Sequence, residues 1–325
     1  MNRFLMSVLF WMFWSSLAAH GADCLQPLPA LRGEWREHRS SEFILQYALT
    51  GEHALQNTDD ALASDVPDVV ADAAIQLMAM RDMLQYLHFR PPLASPRYRR
   101  QGASHILVRF RRLQGINGRA FDEVRRLPSG ECVLIIELDS HYRSGNLTPA
   151  HEFFHQVQNG YTPFKQPWFY EGTARWAETI LGKSRVAAKQ LPKNTADLQF
   201  FWQQSYAALP VWYALIEHCG VQPAKVKVPG KLRNLRYRNG SLVVKDDEIP
   251  GHALIVQVME ALEELGKRVT GRENLMPHHW PERTQREARF APDMWKAVLS
   301  SVSCQPPLIK IRVDTTVRSK NSVRS

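Results

Sequence analysis

The chain holds only four cysteines, Cys24, Cys132, Cys219 and Cys304, and no C-x-x-C pair. That excludes a cysteine-built zinc module and thioredoxin-like chemistry. Internal repeats are absent, so neither a solenoid nor a propeller is expected. No nucleic-acid-binding module is visible, and nucleic acid is not an expected partner. The apolar run from Phe4 to Trp14 is short for a membrane span. Between Lys225 and Arg238 there is no acidic residue, although Lys225, Lys227, Lys231, Arg233, Arg236 and Arg238 all fall there. The stretch reads as a solvated basic face or as a surface for an acidic partner.

What is present is an ordinary globular composition: 325 residues, 44% hydrophobic and 22% charged, with a net charge of +9 and a pI near 9.5. This length suits one large domain or two small ones. The positive charge favours acidic surroundings such as an anionic cell-envelope surface. Residues 1–22 read as a secretory signal peptide. Arg3 gives a positive start, the apolar run follows, and Ala19-His20-Gly21 makes a small-residue cleavage pattern. The expected location is periplasmic or secreted. In that oxidising setting an even number of cysteines implies two disulfides. Three connectivities are open; Cys24–Cys132 with Cys219–Cys304 is preferred, each pair tying one half of the protein together.

The chain is organised around Thr148 to Glu178. It opens with His151-Glu152-Phe153-Phe154-His155, an H-E-x-x-H sequence. On a helix, residues i and i+4 share a face, so both imidazoles can reach one metal ion with Glu152 beside them as a base. Thr148 is the expected N-cap, Pro149 fits the first turn, and Asn159-Gly160 marks the helix end. A surface helix with two histidines is the plain alternative. The flanking Phe153, Phe154 and Val157 argue against it, because polar groups near a core need partners. A catalytic zinc needs a third protein ligand. The next carboxylate is Glu171, expected early in a second helix from about Trp168, with Gly172 letting the two helices approach closely. Glu178 returns to nearly the same face, where it can accept a hydrogen bond from a ligand histidine. A surface glutamate paired with Arg175 or Lys183 is the alternative there.

The run HEFFHQVQNGY followed by PWFYEGTARWAE resembles the gluzincins, zinc peptidases whose third ligand is a glutamate. Within them it is most similar to secreted bacterial metallopeptidases with a peptidase MA-like domain, which carry H-E-x-x-H and then W-x-x-E-G-x-A. The resemblance is strong over residues 148–178, weaker over about 42–220, and absent elsewhere. It implies one zinc ion per chain on His151, His155 and Glu171, with Glu152 as general base for an attacking zinc-activated water. Tyr170 stands where the related aminopeptidases carry asparagine, and their substrate-amine motif G-x-M-E-N is missing. Both departures favour an endopeptidase over an exopeptidase. The stretch from Tyr206 through Leu215 to Gly220 resembles a later segment of the same proteins. It makes Tyr206 a candidate transition-state donor, with an aromatic packing residue as the equal alternative.

Strands are expected at Glu42–Leu49, Ser104–Phe110 and Cys132–Leu138. The last is a candidate for a sheet edge that pairs with an extended peptide. Helices are expected over 66–88, 196–218 with a kink or split at Pro210, 252–268 and 284–302. Residues 113–130, with Gly115, Gly118 and Pro128, read as loop. Asn239-Gly240 signals a basic β-hairpin within 225–245.

The fold class is α+β. A small mixed sheet with the H-E-x-x-H helix packed on it occupies 23–160. A mainly helical half carrying Glu171 and the hairpin spans 161–306, and 307–325 is a basic flexible tail. The expected protein is a zincin-like zinc metallopeptidase acting on peptides or proteins. The rival is a non-catalytic envelope-binding protein on the same scaffold.

Overall fold

The structure, a computed structural model, describes Cys24 and residues 26–182, 186–219 and 225–302. The expected signal peptide, the basic tail and Cys304 lie outside the described residues. The strands are β1 (Arg36–Ser40), β2 (Phe43–Tyr47), β3 (Ala103–Arg111), β4 (Gly118–Arg126), β5 (Cys132–Asp139), β6 (Lys225–Lys227) and β7 (Glu248–Pro250). The longer helices are α1 (Asp68–Tyr86), α3 (Thr148–Tyr161), α4 (Pro167–Leu181), α5 (Thr195–Trp202), α6 (Leu209–Cys219), α8 (His252–Arg272) and α10 (Ala291–Ser301). One-turn helices are α2 (Pro96–Arg99), α7 (Gly230–Arg233) and α9 (Glu282–Gln285). Among the described residues no helix is long and apolar enough to cross a membrane.

The architecture is α+β, with a five-stranded mixed sheet in the order β1-β2-β3-β5-β4. The inner pairs β2–β3 and β3–β5 are parallel, while β1–β2 and β4–β5 are antiparallel. Cys132–Asp139 is therefore an interior strand, and the expected edge is instead β4, in the stretch read as loop. Its sequence, GRAFDEVRR, carries little apolar alternation because half of an edge strand faces water.

At its far end β4 is already paired. Leu28 N–H donates to Arg126 O at 2.8 Å, and Arg126 N–H donates to Gln26 O at 2.9 Å. The expected Cys24–Cys132 disulfide fastens this N-terminal segment, with Cα atoms 5.9 Å apart. Cys219 also stands in a disulfide.

α3 is buried on nearly every side, which explains its two phenylalanines and its glutamines. Phe153 meets Phe43 of β2 edge to face, and Phe154 meets Phe89 and Trp176. Gln156 donates to the carbonyls of Phe121 and Ile135, fixing α3 across β4 and β5. At its start, Asn146 rather than Thr148 acts as the cap. Its side-chain oxygen accepts from Thr148 N–H at 2.9 Å and from the Thr148 hydroxyl at 2.7 Å. Gln76 of α1 accepts from Ala150 N–H, so a second free helix-end amide is satisfied. Gly160 is not a stop signal: the helix runs on to Tyr161, and glycine suits the position because a Cβ there would meet Ser95 Cβ at 3.2 Å.

Other expectations shift in detail. The helix expected over 196–218 is two helices, α5 and α6, broken at Gln203–Ser205, and Pro210 sits harmlessly in the first turn of α6. The helix expected over 284–302 shortens to α10 behind α9 and a 3-10 turn at Ala288–Phe290. The Asn239-Gly240 turn closes only a single bridge, Arg236 to Leu242, while the longer pairing joins β6 to β7.

Candidate metal centre

α3 and α4 pack against each other and bring His151, His155 and Glu171 together. Their ligand-capable atoms all lie within 4.8 Å of one another. The Nε2 atoms of His151 and His155 stand 3.2 and 3.5 Å from Glu171 Oε2. Both imidazoles are buried, and both far nitrogens are engaged. His151 Nδ1 lies 2.8 Å from Glu178 Oε1, and His155 Nδ1 lies 2.6 Å from Gln158 Oε1. Those contacts turn both Nε2 atoms toward Glu171, leaving two imidazole nitrogens and a carboxylate oxygen converging on one point. This donor set can hold a metal ion.

Glu178 does both things considered for it: Oε1 meets His151 and Oε2 pairs with Arg175. Gln158 is a polar residue the motif does not flag. The signal was its position three residues after His155, on the same side of a buried helix. Its amide nitrogen donates to Tyr170 O and to the Thr173 hydroxyl, each at 2.8 Å, so its oxygen can face His155. Tyr170 stacks flat on the His155 ring, with centroids 3.9 Å apart and planes 7° apart. Its hydroxyl accepts from Asn159 at 3.1 Å. An asparagine at position 170 would not hold the imidazole plane in this way.

Glu152 lies beside the cluster under the edge strand, where the Ala120 amide favours its charged form. Gly118 makes room for it: a Cβ there would meet Thr148 Cγ2 at 2.6 Å and Glu152 Cγ at 2.9 Å. Burial pushes the Glu152 carboxyl up to about 8, against the pull of His151. Burial alone would lower His151, but hydrogen bonds with Glu171 and Glu178 and the charge of Glu152 carry it up to about 9. His155 is lowered by burial. Glu171 falls below the usual carboxylate range because both histidines outweigh its own desolvation.

Tyr206 comes from a 3-10 turn, Tyr206–Ala208, after α5. Its ring is 5.7 Å from that of His151, its hydroxyl lies within the field of Glu171, and it is 56% exposed. Burial of its hydroxyl end and the nearby carboxylates raise it to about 12, so it remains a protonated donor at neutral pH. Gly172 serves this turn rather than the α3–α4 contact. A Cβ on it would meet Trp212 Nε1 at 2.6 Å and Ala208 Cβ at 3.0 Å. Gly172→Ala is therefore expected to lower stability by about 1–3 kcal/mol through overpacking. Denaturant unfolding within 0.5 kcal/mol of the parent, on the order of a neutral surface change, would show that the turn yields freely.

The site opens into a cleft of about 990 Å³. One wall runs from Gly115 to Gly118 and the other from Tyr206 to Pro210, with His151, Glu152, Arg175 and Glu178 between them. Backbone pairing of Asn117 with Asp139 turns the amides of Gly118 and Ala120 outward, toward the open edge. The chain matches no family model, no curated protein and no solved structure.

Proposed function

We propose that the protein is an exported, zincin-like metallopeptidase of the gluzincin type, cleaving internal peptide bonds of peptides or proteins. The observation that carries this reading is a His-His-Glu donor set that reaches a cleft through His151, with the buried carboxylate of Glu152 and a strand edge at Gly118 lining the same cleft. The residues fit zinc: two imidazoles, which bind a metal in their neutral form, and one carboxylate, with the imidazoles oriented by contacts to their far nitrogens, match catalytic zinc sites of the His₂Glu kind. Zinc held by His151, His155 and Glu171 would supply Lewis-acid polarisation of the scissile carbonyl and of a water molecule.

The chain's own residues do the rest. The Gly118 end of the outer edge of β4, which lines the cleft, hydrogen-bonds an extended substrate and lays its backbone beside Glu152. Glu152 takes the proton of the attacking water on its carboxylate and hands it to the leaving amine as the C–N bond breaks. The Tyr206 hydroxyl donates to the oxygen that gains negative charge. Glu178 and Gln158 keep the two imidazoles turned the productive way. A disulfide at Cys24–Cys132 supports an oxidising compartment, periplasmic or extracellular. The basic surface suits an anionic envelope there.

Metal analysis is the direct test. One zinc per chain is expected, and none in His155→Ala. Glu178→Gln is expected to bind zinc about 10- to 100-fold more weakly while staying folded. Full zinc occupancy in His155→Ala would end the assignment. Unchanged zinc affinity and activity in Glu178→Gln would leave Glu178 as a partner of Arg175 only.

A further inference from the structure

Next to the catalytic cleft lies a second depression of about 350 Å³. The two share Ala207, the residue after Tyr206, as a common wall. Leu191, Phe201 and Val211, all buried, make its floor. The floor forms because residues 186–193 run back along the start of α6, where Lys189 N–H donates to Pro210 O at 3.0 Å. Phe200 stands on the rim and is 67% exposed, an unusual position for a phenylalanine in an otherwise well-buried aromatic set. Lys189 and Lys193 also border it. Neither lysine has a carboxylate within ion-pair distance among the described residues. Asp197 also lines the depression, where its side chain accepts from Lys193 N–H, so the mouth carries two lysines and one carboxylate.

We infer that this depression is a specificity pocket that takes a large apolar side chain of the substrate, flanked in the substrate by an acidic residue. The inference rests on the peptidase reading above for its place in a reaction, but not for its chemistry. The volume is at the small end for ligand pockets, about 300–1,000 Å³, and suits one side chain rather than a free small molecule. An apolar floor with an exposed aromatic beside it gains from burying a phenyl or leucyl group. Two lysines against one carboxylate at the mouth attract a carboxylate and repel a basic neighbour. The shared wall at Ala207 means that a chain lying past Tyr206 reaches the pocket without leaving the cleft.

Two measurements decide it. The first compares cleavage of Ala-containing and Phe-containing peptides, with a neighbouring Glu, a neighbouring Lys or neither, by the parent protein, by Val211→Trp and by Lys189→Glu/Lys193→Glu. The parent should favour the Glu-Phe peptides. Val211→Trp, which fills the floor, should reduce the Phe-over-Ala preference in kcat/KM at least 10-fold. The double charge reversal sits on the surface, so it keeps the test alive if tryptophan disturbs α6; it should invert the preference for Glu over Lys beside the Phe. The second measurement is calorimetric binding of an acetylated Glu-Phe-Glu peptide to the Glu152→Gln protein, which needs no turnover. The charge reversal in that background should weaken binding at least 10-fold. Cleavage preferences and peptide affinity that do not move in these variants would overturn the pocket. A parent that cleaves nothing but binds the peptide through Lys189 and Lys193 would instead overturn the peptidase reading and leave the pocket standing.

Discussion

Replacing Glu152 by Gln should leave zinc bound and cut peptide hydrolysis by about 10²- to 10⁴-fold. The side chains have the same shape, so the close approach of Gly118 to Glu152 survives. What disappears is a group able to carry a proton from water to the leaving amine. The ligands His151, His155 and Glu171 are untouched, and metal content should match the parent. Measuring zinc and turnover on one preparation separates the two readings of this chain. A binding protein on a peptidase scaffold has no turnover to lose. Hydrolysis that persists at the parental rate in Glu152→Gln would mean that the bond is broken elsewhere or by another base.

The second large effect concerns stability. Asp122→Ala should cost about 3–5 kcal/mol. Asp122 of β4 meets Arg97 Nη2 of α2 at 2.6 Å and Lys165 Nζ, in the α3–α4 turn, at 3.3 Å. All three side chains are almost fully out of water. Lys165 keeps Glu282, which is largely exposed, and Arg97 keeps one bond to Asn159 O. Without Asp122 two buried cations share too little negative charge. Burial alone would raise this carboxyl, but Arg97 and Lys165 outweigh it and hold it at about 2, below its ordinary 3.8. A depressed folded-state value means that the contribution, roughly 2 kcal/mol in this titration, is complete above about pH 5 and is lost as pH falls toward 2. Glu131 and Glu171 are also lowered and titrate in both proteins, so urea unfolding from pH 7 down to pH 2 should show a loss about 2 kcal/mol larger in the parent than in Asp122→Asn. A loss under 1 kcal/mol for Asp122→Ala at pH 7 would be on the order of a surface change and would show that water reaches the pair.

The residues of the candidate metal centre were legible because they come from two adjacent helices with regular spacing. H-E-x-x-H places its histidines on one face by geometry alone, and the short, proline-marked turn to Glu171 leaves few ways to fold. Glu178 follows from the same periodicity. Gln158 escaped because a glutamine has no pattern of its own; its importance comes from being buried. The edge strand escaped for a different reason. Gly115, Gly118 and Pro128 are loop residues by frequency, yet Gly118 lies in a strand because Thr148 and Glu152 leave no room for a side chain. Edge and centre are decided by strand order, which the sequence of β5 alone does not carry. The Arg97–Asp122–Lys165 cluster joins segments distant in sequence, so it appears only in three dimensions. In the helical half, the break at Gln203–Ser205 outranked Pro210 because a proline in a first helical turn costs no hydrogen bond.

The N-terminal strap on β4 also sets how far this protein can stack on itself. An unpaired strand edge is a template for any extended chain, including another copy of the same strand. Here Gln26 and Leu28 already occupy the Arg126 end, and the Cys24–Cys132 bridge holds them there. The ladder to β5 also loses register between Phe121 and Arg125, so the remaining edge is bent as well as short. In the proposed reading, a visiting peptide needs only the short edge at Gly118 to be held beside Glu152. Growth of a continuous sheet from molecule to molecule needs a long straight edge, and this one ends before it can begin.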